Sequence, residues 1–420
     1  MSDSREVADR LYRDRFPQMV GSLVRQYGDI SLAEECAQEA FVIALDRWPE
    51  DGLPSDPAAW LARTASNRAI DRIRRNRTGQ RLERTAAQDA VRESIDALEP
   101  AVTPQLIAND RLRTVFACCH PELGQDAQLT LTLRLVVGLS VEEIARALLI
   151  GEATVAQRLV RAKRQLRTAS PSMDLPQRDE LEQRVDSVLL VCYLMFNEGH
   201  STTSGPVAVR GDLFSEAIWL VRLVVALLPD ATDARALLAL LLLHDARRPA
   251  RFDEDGRIVQ LEHHDRSRYR RERIDEGIAT LDGVMERGSP GSYALQAAIA
   301  AEHCLAANWD DTDWRAIVAY YDALMRLEPS PVFALNRAVA IGMRDGAQAG
   351  YRHVEALTAG GRLTTYGPLF AVQADFLVRL GRHADAITAY DQAIALTKNV
   401  AEQTFLAGRR AECTEALEQD

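Results

Sequence analysis

The sequence predicts an all-α chain built as two small helical units, a linker between them, and a long helical extension ending in repeats. Three observations predict this. Apolar residues recur at helical spacing, as in Ala33, Ala37, Ala40, Ala44 and Trp48. Turn-forming stretches such as Pro49 to Asp56 and Ser170-Pro171 interrupt that pattern at wide intervals. Beyond residue 310, one short motif returns at a period of roughly 34 to 36 residues.

Bulk properties set the limits. At 420 residues and 47% hydrophobic content, the chain is too long for one ordinary domain and has material for two or three cores. No run of about 20 apolar residues occurs; the densest, Val221 to Leu228 and Ala234 to Leu243, is interrupted by Pro229, Asp230 and Asp233. The amino terminus, MSDSREVADR, lacks a signal-peptide core, which predicts a cytoplasmic protein. Cysteines 36, 118, 119, 192, 304 and 413 show neither metal-ligand nor disulfide spacing and read as reduced, mostly buried thiols. A net charge of −11 argues against a chain that is sticky for nucleic acid throughout. Residues 60 to 84, however, hold eight arginines against Asp71 and Glu83, and that local imbalance is a polyanion signal.

In chain order, residues 5–27 read as one helix kinked near Pro17, with Leu11, Val20 and Val24 available for packing. Ser31 and Glu34 have capping-box spacing, so the next helix is expected to begin at Ser31. Its buried stripe is Ala33, Ala37, Ala40, Ala44 and Trp48, and Glu35, Gln38, Glu39, Val42 and Asp46 share the other side. Pro49 to Asp56 should end it, and Asp56-Pro57 then supplies an N-cap and a first-position proline. In the helix that follows, Ala62, Ala65, Ala69 and Ile73 form the apolar stripe. Trp60, Arg63, Thr64, Asn67, Arg68, Asp71, Arg74 and Arg75 occupy the opposite half, a face suited to a polyanion.

AEECAQEAFVIALDRW followed by PAAWLARTASNRAIDRIRR resembles the second domain of bacterial extracytoplasmic-function sigma factors, the promoter-recognition subunits of RNA polymerase. The resemblance implies that residues 1–77 form that domain. It implies that Glu35, Gln38 and Glu39 contact a coiled coil of the polymerase's largest subunit. It also implies that Trp60, Arg63, Asn67, Arg68, Asp71 and Arg74 face the −10 promoter element. Residues 78–104 are polar and mixed in charge, and read as a flexible linker.

A second unit covers residues 105–169. Leu129, Leu133 and Val136 mark a helix ended by Gly138, and Ser140 with Glu143 makes another capping box. Val141, Ile144, Ala145 and Leu148 face inward. After Leu149-Ile150-Gly151, a last helix carries Val155, Leu159, Ala162 and Leu166 inward, with Thr154, Gln157, Arg158, Arg161 and Arg164 outward. This is a helix-turn-helix whose basic second helix suits a major groove. GLSVEEIARALLIGEATVAQRLVRAKRQLR resembles the fourth domain of the same family, which implies that those five outward residues read the −35 element.

Residues 170–420 continue far past where most such sigma factors end. Helices are expected over 179–196, 213–228, 232–245, 268–287 and 291–306. Ala316/Tyr320/Ala323, Gly350/Val354/Leu357 and Ala386/Tyr390/Ala393 then recur at the tetratricopeptide (TPR) period over about 310–400, the middle copy being degenerate. Such helices stack into a TPR-like solenoid whose concave face takes a protein or extended peptide partner. The whole chain resembles the sigma-factor subgroup with a C-terminal tetratricopeptide-like extension, whose conspicuous segment stands here as Phe196-Asn197-Glu198-Gly199-His200. Read from its residues alone, that segment is a helix end stopped at Gly199. Asn197, Glu198 and His200 are also candidates for an interdomain or small-ligand contact. No His-x-x-x-His, glycine-rich phosphate loop or nucleophile elbow occurs, and Asp253 to Gly256 lacks a calcium-ligand pattern. No enzyme activity, cofactor, metal or membrane partner is expected.

The resulting expectation is an alternative sigma factor that directs initiation through RNA polymerase core and promoter DNA, under the control of its own extension. Two other classes stay open at this level. One is a helix-turn-helix regulator acting without core polymerase; the other is an interaction scaffold whose solenoid carries the function.

Overall fold

The computed structural model describes residues 2–79, 112–148, 150–169, 178–200, 211–361, 363–397 and 399–419. The fold is all-α. Among the described residues, extended pairing is limited to one isolated bridge between Phe252 and Ile258. The chain divides into two compact units, Met1–Val191 and Cys192–Asp420.

The first unit opens with α1 (Ser2–Tyr27), α2 (Ile30–Asp51) and α3 (Pro57–Gly79). The expected stripe of α2 is wholly buried, from Ala33 through Trp48. Its start differs from expectation. Asp29 is the N-cap, its Oδ1 accepting from the amides of Ser31 at 2.8 Å and Leu32 at 3.0 Å. Ser31 and Glu34 form no capping box, because Glu34 is 1% exposed and turned into the core. Nor does Pro49 stop α2, since a proline so near the end forfeits only one helical bond. The stop comes at Gly52, whose φ of 84° is left-handed and whose amide donates to the Trp48 carbonyl at 3.1 Å. Asp56 caps α3 as expected, accepting from the Ala59 amide at 3.0 Å. The inward ladder of α3 is Leu61, Ala65 and Ala69; Ala62 is exposed, because the larger neighbouring Leu61 takes the buried position.

Thr78 and Gly79, expected at the start of the linker, belong to α3, and the rest of that segment, 80–104, lies outside the described residues. Helix α4 (112–118), α5 (Gln125–Leu135), α6 (Val141–Ala147) and α7 (Glu152–Ala169) follow. The second capping box is present: the Ser140 amide donates to Glu143 Oε2 at 2.7 Å and the Glu143 amide to Ser140 Oγ at 3.1 Å. Val155, Leu159, Ala162 and Leu166 of α7 are buried. Helix α8 (Arg178–His200) runs across the division between the units, and its Arg184 donates to the Phe116 carbonyl of α4 at 2.9 Å. As described, α8 reaches His200, one residue past Gly199, the expected stop.

In the second unit, α9 (Gly211–Leu227), α10 (Thr232–Arg247), α11 (Arg271–Met285) and α12 (Ser292–Leu305) precede the repeats. The repeats comprise α13 (Trp314–Leu327), α14 (Pro331–Asp345), α15 (Ala347–Ala359), α16 (Gly367–Arg379), α17 (His383–Leu396) and α18 (Val400–Gln419). Successive helices pack on one another, and Ala386, Tyr390 and Ala393 of the best-formed copy are buried. The degenerate middle copy has a packing reason. Gly350 of α15 lies against Gly342 of α14, and the Phe376 ring of α16 fills the space that side chains would need. A Cβ on Gly350 would stand 2.4 Å from Phe376 Cζ and 2.8 Å from Gly342 Cα. Gly350→Ala should therefore destabilise the repeats by roughly 1–3 kcal/mol through overpacking, read as a lower melting temperature in thermal denaturation.

Candidate nucleic-acid interface

Helix α3 presents its polar half largely to solvent: Arg63, Asn67, Asp71 and Arg74 are exposed and Arg68 is half-buried. Trp60 is also half-buried, its ring edge-on to buried Trp48 at 5.6 Å. Beside this face runs the acidic stripe of α2, and the two are not independent. Arg72 is paired with both Glu35 and Glu39, and Arg68 Nε lies 3.9 Å from Glu39 Oε2. Burial of Arg72 opposes its charge, but the hydrogen bond it donates to Glu35 and the charge of Glu39 outweigh it and raise its affinity for the proton. These pairs sit in partly exposed positions, where each is worth about 1 kcal/mol or less and exchanges readily for another partner. Gln38 faces differently, its amide donating to Glu34 Oε1 at 2.9 Å.

On α7, Thr154, Gln157, Arg161 and Arg164 are exposed. Arg158 is half-buried and paired with Asp126 of α5 at 2.8 Å. The turn before α7 and the burial of its opposite face hold this row of side chains outward, as groove reading requires. Asn197 is half-buried near the end of α8; the side chains of Glu198 and His200 lie outside the described residues. No group of three or more potential metal ligands occurs among the described residues.

Sequence reasoning missed the residues that join these two helical modules. Glu34 of α2 meets Arg134 Nε of α5 at 3.4 Å and is paired with Lys163 of α7. Arg134 also donates to the Leu139 carbonyl at 2.8 Å and lies over the Phe16 ring at 5.7 Å. Phe16 stacks with Tyr12 at 4.6 Å, and Tyr12 meets Phe41 edge-on at 5.0 Å. Close by, Gly138 approaches Pro17 so nearly that a Cβ there would be 3.1 Å from Pro17 Cγ. A signal for Glu34 did exist: it falls within the apolar row that continues through Ala37, Phe41, Ala44 and Trp48. A carboxylate in such a row requires a buried partner.

A basic helical module followed by a helix-turn-helix, each with an outward polar row, defines a DNA-binding transcription protein. Residues 11–78 match sigma-70 region 2, residues 113–166 match sigma-70 region 4, and residues 184–285 match a family of unknown function, DUF6596. ECF RNA polymerase sigma factor SigK of Mycobacterium ulcerans is 28% identical, covering 39% of this chain and 85% of its own. RNA polymerase sigma-H factor of Pseudomonas aeruginosa is 30% identical, covering 35% of this chain and 77% of its own. An uncharacterized protein of Rhizobium meliloti is 41% identical over 93% of this chain and 92% of its own, so that likeness extends through the C-terminal unit. The chain belongs to the extracytoplasmic-function group of RNA polymerase sigma factors, as an alternative sigma factor with a helical-repeat extension.

Glu34→Ala should strand Arg134 and Lys163 and loosen the packing of α2 against α7, at a cost on the order of 3 kcal/mol. Hydrogen exchange on the full chain checks this: protection should fall in α2, α5 and α7 and stay unchanged in α17.

Proposed function

We propose that the chain directs promoter-specific initiation in the cytoplasm by binding RNA polymerase core through α2 and promoter DNA through α3 and α7, with the C-terminal extension as its internal regulator. The observation that carries this reading is the pair of outward polar rows on α3 and α7 within one compact unit. In this reading Glu35, Gln38 and Glu39 contact the polymerase, next to Val42 and Leu45, which are 64% and 42% exposed on the same helix. Trp60, Arg63, Asn67, Arg68, Asp71 and Arg74 engage the −10 element; Thr154, Gln157, Arg158, Arg161 and Arg164 engage the −35 element. The working division is 1–77, 78–104, 105–169 and 170–420, and the solenoid is the surface for a protein or peptide partner.

The mechanism follows from the ion pairs. Phosphate attraction supplies most of the affinity and is salt-sensitive. Docking of polymerase on the α2 stripe draws Glu35 and Glu39 away from Arg72 and Arg68, which frees the arginines for phosphate. Opening the downstream element costs a few kcal/mol per unstacked base, partly offset by stacking on the exposed edge of Trp60. The contact of α2 with α7 through Glu34 belongs to the free protein, because two elements apart on duplex DNA need the two helices apart. The extension biases the choice between docked and separated arrangements.

Run-off transcription with purified core polymerase tests this, using the full chain, a chain ending at Val191, and the Glu35/Gln38/Glu39 triple alanine variant. The triple variant should lose initiation by at least about tenfold, the effect of some 1.4 kcal/mol. Truncation should change the rate; an unchanged rate would refute regulation by the extension. Tight binding to duplex without polymerase, and no initiation, would favour a conventional helix-turn-helix regulator.

A further inference from the structure

The second unit contains a cavity of about 350 Å³ that none of the DNA-facing residues use. It opens among α8, α10, α12, α13 and α14, and its polar lining includes Asn197, His244, Arg247, Gln296, His303 and Tyr321. Among the described residues, no carboxylate lines it.

Arg247 is the cation in its wall. The neighbouring carboxylate, Asp245, is taken by others: Arg270 at 2.7 Å, Arg273 at 3.6 Å and Arg248 at 3.7 Å. Arg247 makes no ion pair among the described residues. Its Nη2 lies 3.1 Å from His244 Nδ1, and its Nε is buried without a hydrogen-bond partner. A half-buried guanidinium left in this state carries a desolvation cost that an anion in the cavity would offset.

The remaining groups are neutral. Burial, reinforced by the charges of Arg247 and Arg266, lowers the proton affinity of His303 to a pKa of about 3, so its imidazole is uncharged at neutral pH. Its ring stacks on Trp309 at 6.3 Å and meets Trp314 edge-on at 5.4 Å, while Nδ1 is buried and unpartnered. Burial pushes the Tyr321 phenol up to about 12, leaving it a hydroxyl donor. Tyr193 donates to Gln296 Oε1 at 3.3 Å. Phe196 and Phe333 supply apolar wall. One positive charge in the lining, neutral donors and acceptors, and aromatic surface fit an organic acid better than a phosphate, since among the described residues no second cation lines the cavity.

We propose that this cavity binds a small monocarboxylate, its oxygens paired with Arg247 and its body lying against Phe196 and Phe333. The residue Asn197, from the segment that sequence reading singled out, lines the site. This inference stands independently of the sigma mechanism.

Isothermal titration of the full chain with a panel of aliphatic and aromatic monocarboxylates tests it, with inorganic phosphate and the matching primary amides as comparisons. At least one acid should bind saturably and its amide should not. Arg247→Met should weaken that binding about tenfold or more, Tyr321→Phe by less, and Arg271→Met, a change at an exposed arginine of α11, not at all. Circular dichroism on each variant confirms an intact helical fold, and Arg247→Lys should retain part of the affinity. Absence of saturable binding by every acid would overturn the proposal. So would phosphate binding with the acids silent, or acid binding that survives Arg247→Met unchanged.

Discussion

A single buried carboxylate sets the terms for the first unit. Removing Glu34 from water costs several kcal/mol unless opposite charges and hydrogen bonds surround it. Those partners, Arg134 and Lys163, come from α5 and α7, the latter two described helices beyond α5. Hydrophobic packing alone would hold α2 against the helix-turn-helix with little directional preference. Three charged groups, together with Gln38, Phe16 and the close approach of Pro17 to Gly138, fix one arrangement. Such a contact is specific but conditional, since each partner regains hydration when the modules separate. That property suits the opening that the proposed function calls for.

Charge economy extends to the outward faces of α2 and α3. Glu35 and Glu39 of α2 pair with Arg72 and Arg68 of α3, and these pairs lie at partly exposed positions where water already screens them. Exchange of Glu35 and Glu39 for a phosphate is therefore inexpensive. The net charge of −11 has the same consequence over the whole chain, limiting indiscriminate attraction to nucleic acid while basic rows remain on two helices.

Local chemistry was legible in the sequence; distant chemistry was not. The Asp56 cap, the Ser140/Glu143 box and the buried rows of α2 and α7 depend on residues three or four positions apart, so spacing reveals them. Glu34 has the same local spacing relative to Ser31, and its place in the apolar row marks it only as buried; the charged partners that hold it there lie 100 or more residues away. Pro49 misled because a proline this close to a helix end removes only one helical bond, which the helix bears. In the repeats the period was readable, whereas the reason for Gly350 emerged only with the Phe376 ring seated against it. Of the cavity around Arg247 only Asn197 was marked in the sequence, because the rest of its lining comes from separate helices whose residues share no sequence pattern.

The central claim is that the Glu34 joint is closed in the free protein and opened by polymerase. Fluorophores at exposed Arg75 of α3 and Gln165 of α7, read by single-molecule energy transfer, report the separation of these two helices directly. One short distance in the free chain, giving way to a longer one when core polymerase and promoter are added, is the expected result. A distance that stays short in complexes active for transcription would contradict it, as would a long one in the free chain.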